Sequence, residues 1–155
     1  MPTYHLAQLN IAVMKAPLES PDMADFVANL ERINRLAEHS PGYVWRLQDE
    51  EGDATAIRPF GAEVLVNLSL WRDVQSLSDY VYKSAHREML KRRREWFERV
   101  QQSHQVLWWV PAGHQPDVAE AAERLAYLRD NGPSAHAFTF RQAFAAPLSG
   151  ALQPC

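Results

Sequence analysis

Apolar and polar side chains alternate from Tyr4 to Met14, the two-residue period of a half-buried strand. After Lys15-Ala16-Pro17 the period changes. Phe26, Leu30, Ile33 and Leu36-Ala37 form one apolar stripe at helical spacing, which predicts a helix over Pro21–Glu38 with Ser20 as its cap and Pro21 in its first turn. Ser40-Pro41-Gly42 ends it. Tyr43–Gln48 reads as a second strand and Asp49–Pro59 as a polar, hairpin-type connection. Glu63–Trp71 is the clearest strand, with Val64, Val66, Leu68 and Leu70 alternating against Leu65, Asn67, Ser69 and Trp71. Asp73–Val100 is long and helical, and Ser84 marks a kink or a break into two helices. Gln105–Val110 is a fourth strand closed by Pro111. Asp117–Arg129 is a third helix, stopped by Asn131-Gly132-Pro133, and His136–Arg141 is a short edge strand.

The order β-α-β, β-α-β plus a helical appendix predicts an α+β fold of the ferredoxin-like, split β-α-β kind. It has a four-stranded antiparallel sheet with helices on one face. Residues 1–142 then make a single domain, and 143–155, with two prolines and small residues, a loose tail. Both alternating registers of the strands carry large apolar side chains, so the face opposite the helices needs a cover. A second copy of the sheet is the simplest one, which predicts a homodimer through the sheet face.

Composition narrows the function classes. At 155 residues, 46% hydrophobic and 23% charged, the chain has the make-up of one ordinary globular domain. A net charge of -3 argues against a broad nucleic-acid surface. The single cysteine, Cys155, makes neither an internal disulfide nor a cysteine-rich metal site, and it fits a reducing, cytoplasmic compartment. Met1–Asn10 lacks the pattern of a secretory leader, and no apolar run approaches the ~18 residues of a membrane span. No membrane or nucleic-acid partner is expected. Glycine-rich phosphate loops, nucleophile elbows and paired carboxylates are missing, so hydrolase and kinase readings have nothing to stand on.

Leu68–Phe97, LSLWRDVQSLSDYVYKSAHREMLKRRREWF, and Leu107–His114, LWWVPAGH, followed by Leu125–Phe140, resemble a bacterial family described only as a domain of unknown function. The resemblance runs from Tyr4 to Phe140. Through it the chain is similar to the dimeric α/β-barrel superfamily, which includes antibiotic-biosynthesis monooxygenases, haem-degrading monooxygenases and haem-binding enzymes. The resemblance implies two site residues. Haem-degrading members carry an asparagine on the first strand, where this chain has Asn10. They also carry an iron-ligating histidine on the second long helix, where Ser84-Ala85-His86 is a shortened form of their run. Their helical tryptophan before the histidine is replaced by Tyr80 and Tyr82. The cofactor-free members need no such ligand.

Each candidate has a structural and a functional reading. Asn10 and Asn67 lie on largely apolar strands, so they are either core hydrogen-bonding groups or polar points in a small-molecule cavity. Asn67, Ser69 and Trp71 share one parity. The expectation is that Asn10, Asn67 and Trp71 face the helices and line one pocket with His86. His86, with Tyr82 four residues before it and Met89 and Leu90 after it, is a structural histidine, an acid-base group or a haem ligand. No two histidines stand four apart, so a zinc-type helix motif is absent. Lys91-Arg92-Arg93-Arg94 reads as a solvated face paired with Glu88, Glu95 and Glu98, while Arg93, seven residues beyond His86, is placed to meet a ligand carboxylate. Trp45, Trp71, Trp108 and Trp109 are core or dimer-interface residues, and any that line the cavity would stack on a planar ligand.

Three readings follow. One is a small-molecule enzyme acting on a hydrophobic, planar or polycyclic substrate, cofactor-independent and monooxygenase-like. It would use His86 and Asn10 as catalytic groups, with Asn67, Trp71, Tyr82, Trp45 and Arg93 holding substrate. A haem protein with His86 as axial ligand is the second. The third is a non-catalytic dimer holding a small hydrophobic ligand.

Overall fold

The computed structural model of the chain describes residues 3–48 and 53–147. Strands β1 (Tyr4–Val13), β2 (Tyr43–Arg46), β3 (Val64–Trp71) and β4 (Gln105–Pro111) form one sheet in the order β2-β3-β1-β4, every neighbouring pair antiparallel. Helix α1 (Ala24–Glu38) joins β1 to β2, and α2 (Val74–Lys83), α3 (His86–Lys91) and α4 (Arg93–Trp96) lie between β3 and β4. The first strand of each β-α-β half thus sits in the middle of the sheet, which is the ferredoxin-like, split β-α-β arrangement. Among the described residues no helix is long and apolar enough to cross a membrane.

The pleat divides the core in two. Leu6, Gln8 and Asn10 of β1 stand opposite Trp71, Ser69 and Asn67 of β3 and share one face with them. Over that face Ala37 of α1 and Leu77 of α2 pack with Leu6, Trp71 and Leu107. The other face presents Ala7, Leu9, Leu68, Leu70, Val106 and Trp108, all buried. It is covered by Ala121, Leu125 and Leu128 of α5 (Val118–Asn131), with Ile57 and Phe60 beside them. The helices of the two halves do lie on one face, but the helical appendix closes the other. The expected sheet-to-sheet homodimer rests on an open face, and the chain's own α5 removes that ground.

Local chemistry sets the element ends. Ser20 accepts from the Asp22 amide at 3.2 Å, with Pro21 opening a single 3-10 turn before α1. Asp73 Oδ1 caps α2 by accepting from the Ser76 amide at 2.8 Å, and Asp117 Oδ1 caps α5 through the Glu120 amide at 2.8 Å. Gly42, at φ +85°, leads into β2 where a Cβ would overlap the Ser76 hydroxyl, so the turn can lie against α2.

One expectation is refined and one corrected. Asp73–Val100 does break at Ser84, but into three short helices, α2, α3 and α4, where a kink or two helices were expected. The Ser84 hydroxyl donates to the Tyr80 carbonyl and accepts from the His86 amide at 3.1 Å, replacing helical backbone bonds and ending α2. His136–Arg141 is not a strand but a single bridge between Phe138 and Leu107, with both backbone hydrogen bonds at 2.8 Å. Ser134 and Ala137 bond each other in a tight turn just before it, so the chain is not extended there. In the tail expected to be loose, the Phe144 carbonyl accepts from Trp109 Nε1 at 2.8 Å and its ring meets Phe138 at 5.9 Å. The rest of that tail, 148–155 with Cys155, lies outside the described residues, as do 49–52 of the expected hairpin connection.

Candidate functional site

A cavity of about 560 Å³ lies between the even-numbered face of β1 and the layer of α1 to α4. Its floor is polar in an otherwise apolar sheet. Gln8 is buried, and its Nε2 donates to Ser69 Oγ at 2.9 Å, to the Asn67 carbonyl at 3.2 Å and to Asn67 Oδ1. Trp71 Nε1 donates to the same Ser69 hydroxyl at 2.9 Å. Because Gln8 holds Asn67 by its oxygen, the Asn67 NH2 is the end left for the cavity. Asn10, directly across from Asn67, lines the same space, and its side chain has no hydrogen-bond partner among the described residues. Phe26, Leu30 and Ile33 of α1 and Met89 and Leu90 of α3 supply apolar walls.

An aromatic column supports one side. Tyr80 stacks on Trp71 with centroids 5.1 Å apart and rings inclined by 26°, and Tyr43 meets Trp71 edge-on at 5.6 Å. The Tyr80 hydroxyl donates to the Ile33 carbonyl at 3.2 Å, which ties α2 to α1. Burial pushes the Tyr80 hydroxyl well above its ordinary pKa, with Arg46 opposing the rise, so it stays protonated. His86 packs its ring 4.9 Å from Tyr80 and places Nδ1 3.3 Å from the Val81 carbonyl. A carbonyl only accepts, so the contact assigns the proton to Nδ1 and leaves a lone pair on Nε2. Burial lowers the His86 pKa below its ordinary value, outweighing that hydrogen bond, and the ring is neutral at pH 7.

Asn10, Asn67, Trp71, Tyr82, His86 and Arg93 all line this one cavity. Trp45 does not. The β2–β3 register shifts between Tyr43 and Trp45, so Trp45 stands opposite Leu70 and packs into the core on the α5 face. Trp71 is 1% exposed with Tyr80 on its face, so it supports the floor more than it offers a stacking surface. Tyr82 is half exposed at the rim, edge-on to Phe140 at 5.8 Å. Within the basic run, Arg92 pairs with Glu95 at 2.9 Å and Asp25 at 2.7 Å, while Arg93 and Arg94 face the cavity mouth with Arg99. Sequence reasoning passes over Gln8 and Arg46, and meets Tyr80 only as a replacement for the helical tryptophan. Gln8 had a signal, since it shares a parity with Asn10 on β1.

Among the described residues no group of three histidine, cysteine or acidic side chains is placed to hold a metal ion. His86, with Nδ1 tethered and Nε2 carrying the lone pair, is the side chain that would ligate a haem iron if one were bound.

The family described as "Domain of unknown function (DUF3291)" matches residues 5–152. No curated protein matches the chain. Among solved structures, a protein of unknown function from Nitrosomonas europaea is 13% identical, covering 76% of this chain and 99% of its own, with a TM-score of 0.46. SnoaB, a cofactor-independent oxygenase from Streptomyces nogalater, is 13% identical over 73% of this chain and 98% of its own, with a TM-score of 0.44. PA3566 from Pseudomonas aeruginosa is 14% identical over 74% of this chain and 99% of its own, with a TM-score of 0.43. At these identities and scores, the activities of those proteins do not transfer to this chain.

Proposed function

We propose that this chain, which belongs to the family described as Domain of unknown function (DUF3291), is an enzyme that binds a hydrophobic, planar or polycyclic molecule in the sheet–helix cavity and removes a proton from it. One observation carries the reading: a neutral, backbone-tethered imidazole shares one cavity with two cross-strand amides. His86 Nε2 accepts the proton. The amide groups of Asn10 and Asn67 donate to the substrate oxygen that gains charge.

The finer form is cofactor-independent oxygenation, which the sequence resemblance suggests. A ring CH2 acidified by a neighbouring aryl ketone loses its proton to His86. The carbanion gives its electrons to dioxygen, and the hydroperoxide loses water. The CH2 group plus O2 becomes C=O plus H2O, with one oxygen atom retained.

The test is a tricyclic aryl ketone with an acidic ring CH2, followed by oxygen uptake and by quenching of tryptophan fluorescence on binding. His86→Ala should lower turnover about 10²- to 10⁴-fold while leaving affinity nearly intact. Asn67→Ala should lower turnover in the same direction. Binding without turnover in the wild type would leave only a ligand-binding protein. A Soret band on adding haem, abolished by His86→Ala, would replace the acid-base role with iron ligation.

A further inference from the structure

We infer that Arg46 is the anion-binding residue of this cavity, and that the substrate is a planar aromatic molecule whose ionised oxygen seats on the free edge of the Arg46 guanidinium. The inference deepens the reading above and rests on it.

Arg46 ends β2 opposite Ser69, so it belongs to the same cross-strand row as Gln8 and Ser69 on the helix-facing side of the sheet. Its side chain is 12% exposed and lines the cavity. Glu38, from the last turn of α1, holds Nε at 2.9 Å. Among the described residues Glu38 is its one hydrogen-bond partner, and neither terminal nitrogen bonds a described residue. A guanidinium held by Nε with its Nη edge open presents two parallel donors, the geometry that suits an anionic oxygen pair. Glu38 is the positioning residue.

Arg46 already acts on oxygens in this space. Burial raises the pKa of the Tyr43 and Tyr80 hydroxyls, and at both Arg46 pulls the other way by favouring the negative oxygen. Arg93, Arg94 and Arg99 also line the cavity, but they are exposed, and Arg93 and Arg99 both push the Arg94 pKa down after desolvation. Charges at such a mouth are screened by salt, whereas a nearly buried guanidinium is screened much less. The oxygen held by Arg46 is the one that becomes or stays anionic when His86 takes its proton, or a carboxylate that orients the ring for that step.

Two matched pairs of probes separate these sources: 2-naphthoate with its methyl ester, and ionised 2-hydroxy-1,4-naphthoquinone with its methyl ether. Affinities are read by tryptophan quenching. The wild type should favour the ionised member of one pair roughly ten- to a hundredfold, and the preference should survive molar salt. The favoured pair identifies the oxygen as carboxylate or enolate. Arg46→Met should abolish the preference while neutral probes still bind. Arg46→Lys should restore part of it, and Arg87→Met, which removes the same charge outside the cavity, should leave it intact. Equal affinities within both pairs, a preference that Arg46→Met keeps, or one that salt erases would overturn the assignment while leaving the cavity reading standing. If no probe of either pair binds, both the assignment and the proposed function fail.

Discussion

Replacing Ser69 with alanine should cost about 1–3 kcal/mol, and the cost should trace to a single orphaned donor. Two buried groups use the Ser69 hydroxyl, Gln8 Nε2 and Trp71 Nε1, each at 2.9 Å. They are not equally exposed to its loss. Gln8 keeps the carbonyl and side-chain oxygens of Asn67, whereas Ser69 is the one hydrogen-bond partner of the Trp71 indole among the described residues. Trp71→Phe deletes that donor and keeps most of the ring packed on Tyr80. Ser69→Ala should therefore be far cheaper in the Trp71→Phe background than in the wild type. The coupling energy from the double-mutant cycle should be on the order of 1–2 kcal/mol. For a chain of this length the single Ser69→Ala change corresponds to roughly 2–10 °C in Tm. Urea denaturation followed by far-UV circular dichroism measures all four proteins on one scale, since the signal does not depend on Trp71. Additivity within about 0.5 kcal/mol, or a Ser69→Ala variant as stable as the wild type, would refute the reasoning.

Stability should also depend on His86 and on α5. Burial lowers the folded-state pKa of His86, so above the unfolded value of about 6.5 both states are neutral and the group has no effect. As pH falls through that value the unfolded chain takes the proton first, and stability drops by no more than about 1.4 kcal/mol per pH unit until the folded group protonates too. His86→Gln should remove this component from urea melts between pH 8 and 5, and superimposable wild-type and variant pH slopes would count against it. Leu125→Ala should cost about 2–5 kcal/mol, because Leu125 is 1% exposed and fills the space between α5 and the sheet. A loss below about 1 kcal/mol would mean that α5 does not seal that face.

Much of the architecture is legible along the chain because alternation and helical spacing are local. β1, β3, β4 and α1 follow directly from such periods, and the shared parity of Asn67, Ser69 and Trp71 places them on one face. In places one atom or one register step outweighs the pattern. The apolar spacing of Asp73–Val100 continues past Ser84, yet the break read at Ser84 is there, because its hydroxyl captures the Tyr80 carbonyl and ends the helix. Strict alternation would put Tyr43 and Arg46 on opposite faces of β2. The irregularity between Tyr43 and Trp45 puts both on the helix side and sends Trp45 to the other, which removes one expected site residue and supplies an unexpected one. Ala121, Leu125 and Leu128 mark an amphipathic helix in the sequence. Only the three-dimensional path shows that its apolar side returns to the chain's own sheet.

The placement of β1 has a kinetic consequence. Leu9 stands between Leu68 on β3 and Val106 on β4, so the strand synthesised first is paired on both edges by segments that emerge much later. During synthesis it has no strand partner until β3 arrives, and its other edge remains open until β4 follows. Folding dominated by contacts so distant in sequence is slow, and an unpaired central strand can associate with other chains in the meantime. Substitutions that weaken β4 should therefore lower the yield of folded protein on expression more than the equilibrium stability of the finished molecule would suggest.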